Sequence, residues 1–237
     1  GLAANKLQAN IVILPNEYAA DFIKFCKLNP KACPLVGQTK SNNPYFETLG
    51  DNIDIRFDVP LYNIYENGNL ISTVRNIEDD WDNSFVAFAI GCSFSFEDAL
   101  LNAGLKIDHI TNNKVVPMYR TNIKNKKSGP FNSEMVVSMR IFNQKDINKV
   151  KQISGNFSFA HGDPIHIGNP IEIGIKDIFS PDWGDRPRKK NDEEEYIFWA
   201  CGVTPQNAII EARIPFCITH TPGHMLITDI SEDSLHN

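Results

Sequence analysis

The pattern of apolar and polar positions predicts a chain that mixes strands and helices. Residues 10–14, in which Asn10 is followed by four apolar residues, are predicted to form a buried strand. Residues 85–90 are a continuous apolar run of strand length, which is typical of a strand covered on both faces. Residues 15–28 instead carry apolar side chains at helical spacing, so a helix is predicted there. Its apolar side is formed by Ala19, Phe22, Ile23 and Cys26.

Shorter elements are predicted on both sides of the second apolar run. Residues 54–57 and 62–65 indicate strands, and Asn67-Gly68 is typical of a two-residue hairpin turn. Two later strands are predicted at 115–123 and 135–141, followed by a helix at 145–153.

A strand, a turn and a helix are predicted twice with the same local design. After strand 85–90, Ser95 is expected to cap a helix that runs to Gly104, with Asp98 completing a capping box. After a strand at 196–200, Thr204 is expected to be the N-cap and Pro205 the first helical residue.

These elements predict an α/β fold of mixed α+β type. Residues 1–105 and 156–237 are expected to form a larger domain with αβα layers. The ββα segment 106–155 is expected to be inserted as a smaller two-layer subdomain. The charged segment 186–195 is predicted to be a solvated connecting loop.

Composition narrows the classes of function. With 237 residues and 42% hydrophobic content, the chain can bury one large core or two modest ones. A net charge of -6 argues against a nucleic-acid partner, and no apolar run approaches the ~20 residues that cross a membrane. Five cysteines without a tight pair favour reduced thiols in an intracellular protein. The expected partner is a small acidic molecule, and a homodimer would suit a protein of this size.

Seven short motifs, in order along the chain, resemble the D-glutamate cyclase family, which also carries a hydro-lyase label. They are QAN…ILP at 8–15, GCSFSFE at 91–97, VPMYRTN at 116–122, MVVSMR at 135–140, HG at 161–162 through Pro170, FWACGVTPQ at 198–206 and THTPGHM at 219–225. The resemblance implies a two-part α/β fold and an enzyme that converts D-glutamate to 5-oxo-D-proline with loss of water. It also implies a cytoplasmic protein, or a mitochondrial matrix protein if the chain is an animal-type member. The start Gly1-Leu2 is not that of a signal peptide, and we expect a trimmed N-terminus.

Lactam closure needs a folded substrate, a base for the amine and donors for the developing oxyanion. No phosphate-binding loop of the Gly-Lys-Ser/Thr type is present, so a cofactor-free reaction is expected. Ser93, Ser95 and Thr204 lie at predicted helix starts, which suit carboxylates. The alternative for Ser95 and Thr204 is that they only cap helices.

Arg120, Asn122 and Arg140 end strand-like runs and are candidates for binding a substrate carboxylate. For the arginines, pairing with a local Asp or Glu is an equally good interpretation. Arg120 is preferred because polar side chains cluster beside it.

Four histidines lie in two turn-rich motifs, His161 with His166 and His220 with His224. They are the candidate acid-base groups, since imidazole titrates near neutral pH. With Asp163 or Asp229 they could instead hold a metal, which would favour a hydrolase that opens the lactam.

Cys201 is a candidate proton donor. If Cys92 and Cys201 point at helix starts, their pKa values should be lowered; a buried apolar role is the alternative, and the favoured one for Cys92. A non-catalytic binding protein for 5-oxoproline is the remaining alternative for the chain as a whole.

Overall fold

The structure is a computed structural model that describes residue 3 and residues 5–232. Its strands are β1 (Lys6–Pro15), β2 (Leu35–Gln38), β3 (Tyr62–Glu66), β4 (Asn69–Val74), β5 (Phe85–Gly91), β6 (Met118–Lys124), β7 (Glu134–Asn143), β8 (His166–Ile167), β9 (Glu194–Ala200), β10 (Phe216–His220) and β11 (Leu226–Ser231). Its α-helices are α1 (Asn16–Leu28), α2 (Glu97–Asn102), α3 (Asp108–Thr111), α4 (Ile147–Gly155) and α5 (Val203–Ala212). Residues 1, 2 and 4, part of the start discussed above, lie outside the described residues.

The first sheet has the strand order β2-β5-β1-β10-β3-β4, and β11 also pairs with β1. Every pairing is antiparallel. β1 lies at the centre because it pairs with β5 along one edge and with β10 and β11 along the other. Its burial at eight consecutive positions follows from this central place.

Two apolar clusters cover the faces of the first sheet. On one face Val12, Phe88 and Cys217 pack against α1 and α5. On the other, Ile11 and Ala87 pack against residues of the segment 46–59. Both faces of β5 are therefore buried, as its continuous apolar run predicts.

The second sheet has the order β6-β7-β9-β8 and is also antiparallel. One face packs against α2 and α4 through Phe96, Phe142 and Trp199. The opposite face is covered by Ile173, Ile175 and Ile178 among others. The mixed α and β fold class is thereby confirmed.

Most predicted elements are present with small changes of length. The strands predicted at 10–14, 62–65 and 85–90 are β1, β3 and β5. The hairpin turn is confirmed: Asn67 and Gly68 both have positive φ, 49° and 80°, which a tight turn between twisted strands requires.

The prediction of a strand at 54–57 is wrong. These residues form a turn in which only Asp54 makes an isolated bridge, with Tyr45. The Asp54 carboxylate accepts bonds from the backbone N–H and the guanidinium of Arg56. Such local bonds stabilise a turn in place of a strand ladder.

The second sheet takes in strands from outside the predicted insertion 106–155. β9 pairs with β7 over seven residues, from Val137 opposite Ala200 to Asn143 opposite Glu194. β9 shares with β5 a predicted strand–turn–helix design, but it lies in the second sheet. Within the described residues, no helix is both long and apolar enough to cross a membrane.

Candidate active site

Arg140 lies at the centre of a buried polar cluster between the second sheet and the turn that follows β5. Its side chain extends from β7 and is 1% exposed. Nη2 donates to Ser93 Oγ at 3.1 Å, and Nη1 donates to Ser138 Oγ at 2.9 Å. Among the described residues Ser138 is the only acceptor for Nη1, so one of its two hydrogens is uncommitted.

Glu97 is the counter-ion of Arg140. Its Oε1 accepts from Nε at 2.8 Å and from Nη2 at 2.5 Å. His109 Nε2 lies 3.2 Å from the same oxygen. Burial alone would raise the pKa of Glu97, but the charge of Arg140 and the contact with His109 outweigh it and hold that pKa below its usual range. Glu97 is therefore a buried carboxylate anion.

Two aromatic rings flank the Arg140 guanidinium, which lies 5.0 Å from the ring of Phe96 and 5.2 Å from that of Trp199. Rings at this distance stabilise a cation and exclude water from it. Electrostatic interactions are stronger in such a water-poor environment.

His161 is buried beside this cluster. Its Nδ1 lies 2.7 Å from the carbonyl oxygen of Lys31. Because a carbonyl can only accept, Nδ1 carries the hydrogen, and Nε2 presents a lone pair. Burial lowers the pKa of His161 to about 4, and the charge of Arg140 adds to this effect.

His161 is the C-cap of the 3₁₀ turn Ser158–Ala160, and its φ of 80° lies in the left-handed region that helix ends commonly adopt. The carbonyl of Gly91 is near enough to oppose the lowering of the His161 pKa, but no described group forms a hydrogen bond with Nε2.

His220 is also buried but is held differently. Its Nδ1 accepts from the backbone N–H of Ile11 at 3.0 Å, so Nε2 carries the hydrogen. The side-chain amide of Gln206 lies against the same ring, and Nε2 of Gln206 is 2.9 Å from Nδ1 of His220. Burial lowers the pKa of His220 to about 4.

Asn10 joins the two strand–turn units. Its Nδ2 donates to the carbonyl oxygen of Gly91, the last residue of β5, at 3.2 Å. The same amide packs on Gly202, after β9, so closely that a Cβ there would overlap it. The two turns therefore meet although their strands belong to different sheets.

Cys92 and Cys201 lie in these two turns and are both buried. Burial raises the pKa of Cys92 and raises that of Cys201 to about 12, because loss of solvent outweighs the backbone hydrogen bonds. The pKa values are therefore not lowered as they would be at helix starts, and the buried apolar role, favoured for Cys92, describes its environment.

The predicted N-caps are wrong. Ser95 lies inside a 3₁₀ turn, Ser93–Phe96, that precedes α2, and neither that turn nor α2 has a side-chain cap. Thr204 lies inside α5, whose N-cap is Gly202. Thr204 Oγ1 instead accepts from the N–H of Val136 at 3.0 Å and so ties α5 to the second sheet.

Arg120 and Asn122 are on the surface. The side chain of Arg120 is half exposed, donates to Asn207 Oδ1 at 2.6 Å and stacks on Trp183 at 4.9 Å. Its charge is balanced by Asp182 and Glu211, at 3.7 and 3.8 Å. These contacts agree with the alternative prediction for Arg120, in which the arginine pairs with nearby acidic residues.

His166 and His224 lie apart from the contacts of Arg140. His166 Nε2 lies 2.9 Å from the carbonyl oxygen of Asn169, and its ring packs against Phe198. His224 is exposed, in the turn after β10, with Nδ1 3.3 Å from the carbonyl oxygen of Pro222.

Three buried polar atoms around the cluster have no hydrogen-bond partner among the described residues: Ser95 Oγ, His161 Nε2 and Trp199 Nε1. Leaving such a group unpaired costs on the order of 1–3 kcal/mol. The set combines donors with one acceptor next to a guanidinium, which suits a ligand that carries both a carboxylate and an amine.

The described residues contain no group of three or more His, Cys, Asp or Glu side chains that could hold a metal ion. Asp163 pairs with Lys31 at 2.6 Å. Asp229 accepts from the N–H of Asp51 at 2.9 Å. Neither carboxylate completes the metal site considered as an alternative.

Comparison with known families matches residues 86–229 to the family model described as D-glutamate cyclase. This range includes all but the first residue of β5, the turn after it, Arg140, His161, Cys201 and His220. The match therefore covers more than half of the chain and most of the residues described above.

Individual relatives extend the similarity over nearly the whole chain. A protein of Dinoroseobacter shibae is 51% identical over 99% of this chain and 78% of its own length. Proteins of Ruegeria pomeroyi and Burkholderia ambifaria are 51% and 50% identical over 99% and 96% of this chain, and over 85% and 88% of their own lengths. All three carry the name "Putative hydro-lyase". The match to a nitrogen repressor-like protein from Methanococcus jannaschii covers 89% of this chain and 80% of that protein, at a TM-score of 0.43 and 9% identity.

Proposed function

The chain belongs to the D-glutamate cyclase family, whose relatives bear a hydro-lyase name, and we propose that it closes D-glutamate to 5-oxo-D-proline with loss of water. The observation that carries this proposal is the lone pair of His161 Nε2, buried and unpaired among the described residues, in the field of Arg140. A base for the amine and a cation for a carboxylate are then present in one water-poor cluster.

The donors of the cluster bind the substrate carboxylates. Arg140 offers its uncommitted Nη1 hydrogen, and Trp199 offers Nε1–H. Hydrogen bonds between charged groups are about twice as strong as neutral ones, and more so away from water. Glu97, already shared between Arg140 and His109, fixes the direction in which the guanidinium points.

His161 carries the protons. In the zwitterion of glutamate, two protons leave the nitrogen and two join the departing oxygen of the γ-carboxyl. The N–C bond forms as the C–O bond breaks, and the products are the lactam and water. A single base that takes each proton from nitrogen and returns it to oxygen balances the reaction. Its pKa of about 4 keeps the ring neutral at pH 7, and a substrate carboxylate bound beside the ring raises that pKa and makes Nε2 a better base.

Positioning supplies the largest share of the acceleration. Holding the amine against the γ-carboxyl can lower the barrier by roughly 7–11 kcal/mol. Ser95 Oγ and Trp199 Nε1 are held by packing in the 3₁₀ turn and in β9, so they require little reorganisation. Cys201 remains a thiol at neutral pH because burial raises its pKa to about 12. In the proposed reaction it is a second proton donor. The proposed reaction uses no cofactor.

The test is incubation of the protein with D-glutamate in D₂O, with 5-oxoproline followed by ¹H NMR. Lactam closure leaves the Cα–H bond intact, so the product should keep its α-proton. L-glutamate and the reverse reaction are run alongside.

A hydro-lyase that eliminates water across a carbon–carbon bond would behave differently. Such an enzyme removes a C–H proton and would exchange it with D₂O in its own substrate, a hydroxy acid. Absence of 5-oxoproline from D-glutamate, or loss of the α-proton during turnover, would exclude the cyclisation proposed here.

A further inference from the structure

A second polar region lies on the far side of Glu97, where β7 runs beyond its pairing with β6. The pairing of β6 with β7 ends at Met118 opposite Ser138. Past that point the edge of β7, α3 and residues 185–188 enclose a cavity. Its charged and titratable lining consists of His109, Lys114, Arg140, Arg186 and Arg188 together with Asp108 and Asp185.

The charges around this cavity are unevenly paired. Arg188 is fully engaged: Nε lies 2.7 Å from Asp108, and both Nη atoms donate to Glu194. Asp185 accepts from the N–H of Val115 at 2.7 Å. Lys114 and Arg186 are exposed and have no acidic partner within 4 Å among the described residues. Arg186 stacks on Phe179 at 5.2 Å, and its charge lowers the pKa of Asp177 from a longer distance. Neither cation is held in a close ion pair, so both can turn towards a negatively charged ligand.

The size of the cavity limits that ligand. About 50 Å³ is open to the centres of water molecules, whereas one water needs roughly 10–15 Å³ of such space. The cavity thus holds only a few waters or one small ion. An oxyanion of the size of phosphate matches this space.

His109 connects the cavity to the proposed active site. It lines the cavity with part of its ring, and its Nε2 lies 3.2 and 3.4 Å from the two oxygens of Glu97. Glu97 in turn holds the guanidinium of Arg140. The charged groups around the ring are Glu97 on α2, Arg140 on β7, the neighbouring Asp108 and Arg188.

We propose that this cavity binds a small oxyanion and that His109 transmits its occupancy through Glu97 to Arg140. An anion beside the ring favours the imidazolium form, which attracts the Glu97 carboxylate. Glu97 then shares more of its charge with His109, and Arg140 is freer to bind a substrate carboxylate. Binding of the oxyanion is independent of the proposed reaction, whereas its effect on turnover rests on it.

The test is titration of the whole protein with inorganic phosphate at pH 7 and constant ionic strength. The imidazole signals of His109 are followed by NMR and assigned with His109→Gln. Phosphate should move them towards the imidazolium position with a saturable dependence, and chloride should not. The variant Lys114→Ala/Arg186→Ala should bind phosphate at least tenfold more weakly.

The matched control is Lys24→Ala/Arg75→Ala, which removes the same charge at exposed positions on α1 and beyond β4. It should keep the affinity of the unmodified protein. Equal weakening in both variants, or His109 signals that phosphate leaves in place, would overturn the site. If the cavity variant does not fold, the titration of the unmodified protein against chloride decides.

Activity then tests the connection to Arg140. Saturating phosphate should lower the KM for D-glutamate severalfold with little change in kcat, and His109→Gln should abolish the effect. An unchanged KM alongside phosphate binding would remove the connection and leave the site. Phosphate binding without any 5-oxoproline would instead contradict the proposed function.

Discussion

His161 and His220 are buried with opposite ring hydrogens fixed by the backbone. Nδ1 of His161 donates to the carbonyl oxygen of Lys31, whereas Nδ1 of His220 accepts from the N–H of Ile11. We therefore expect the Nδ1–H tautomer for His161 and the Nε2–H tautomer for His220. The ¹⁵N shifts of the two imidazoles at pH 7 report this directly, and the same tautomer in both rings would contradict the assignment.

Replacing His161 should remove the base of the proposed reaction. His161→Asn suits the position, because asparagine tolerates the left-handed backbone. We expect kcat for 5-oxoproline formation to fall by about 10²–10⁴-fold, the usual contribution of a general base. KM should change little, since Arg140 still binds the carboxylate.

The matched control for that variant is His224→Asn. His224 is exposed and makes one contact, with the carbonyl oxygen of Pro222. Its replacement should leave kcat unchanged, and both variants should keep the circular dichroism of the unmodified protein. Equal losses of activity in the two variants would move the catalytic role away from His161.

Acid should destabilise the fold through the same two histidines. Both folded pKa values are about 4, whereas an unfolded histidine titrates near 6.5. Between these values the unfolded chain binds more protons, so stability is lost as pH falls from 6.5 to 4. Each histidine accounts for roughly 3 kcal/mol. Urea unfolding at pH 7 and pH 5 measures the loss, and His161→Asn should reduce it; a pH-independent midpoint would contradict the burial of both rings.

The sequence predicted the elements better than their partners. β1, β3, β5 and α1 follow from apolar periodicity, which is a local property. β9 has the same local pattern as β5 but pairs with β7. Strand pairing depends on distant residues, so a repeated strand–turn–helix pattern does not reveal which sheet a strand joins.

The candidate site was predicted only in part, because contacts between residues far apart in the sequence leave no local signal. Arg140, Ser93 and His161 were expected and lie together, while Glu97, His109, Asn10 and Gln206 were not singled out. Glu97 is a first-turn acidic residue of α2, and such residues are usually solvated, so its burial against Arg140 has no local signal. One clue was present: Glu97 ends the motif that begins at Gly91.

The Glu97–Arg140 pair should be strongly coupled. Glu97→Gln leaves a buried guanidinium without its counter-ion, which typically costs 3–5 kcal/mol. We expect Glu97→Gln/Arg140→Met to be less destabilised than the sum of the single variants, because the second change removes the stranded charge. Urea unfolding measures the coupling.

An exposed ion pair provides the comparison for that cycle. Lys124 and Glu134 pair on the surface of the second sheet, with side chains 76% and 43% exposed. Glu134→Gln should cost less than about 1 kcal/mol. If the losses in free energy of unfolding at Glu97 and Arg140 simply add, the two residues are not coupled as described. A loss for Glu134→Gln as large as that for Glu97→Gln would contradict the burial of the Glu97–Arg140 pair in the same way.

The contact between Asn10 and Gly202 should decide whether the two turns can meet. A Cβ at residue 202 would overlap the Asn10 amide, which is itself bonded to Gly91. Gly202→Ala should therefore cost about 1–3 kcal/mol, the range for forced overpacking. It should also impair turnover, because the turns carry Ser93 and Cys201.

Asn10→Ala provides the control, because it removes the atoms that a Cβ at residue 202 would overlap. In that background Gly202→Ala should lower the free energy of unfolding distinctly less, as measured by urea unfolding. An equal cost in both backgrounds would mean that the turns are not joined through this contact.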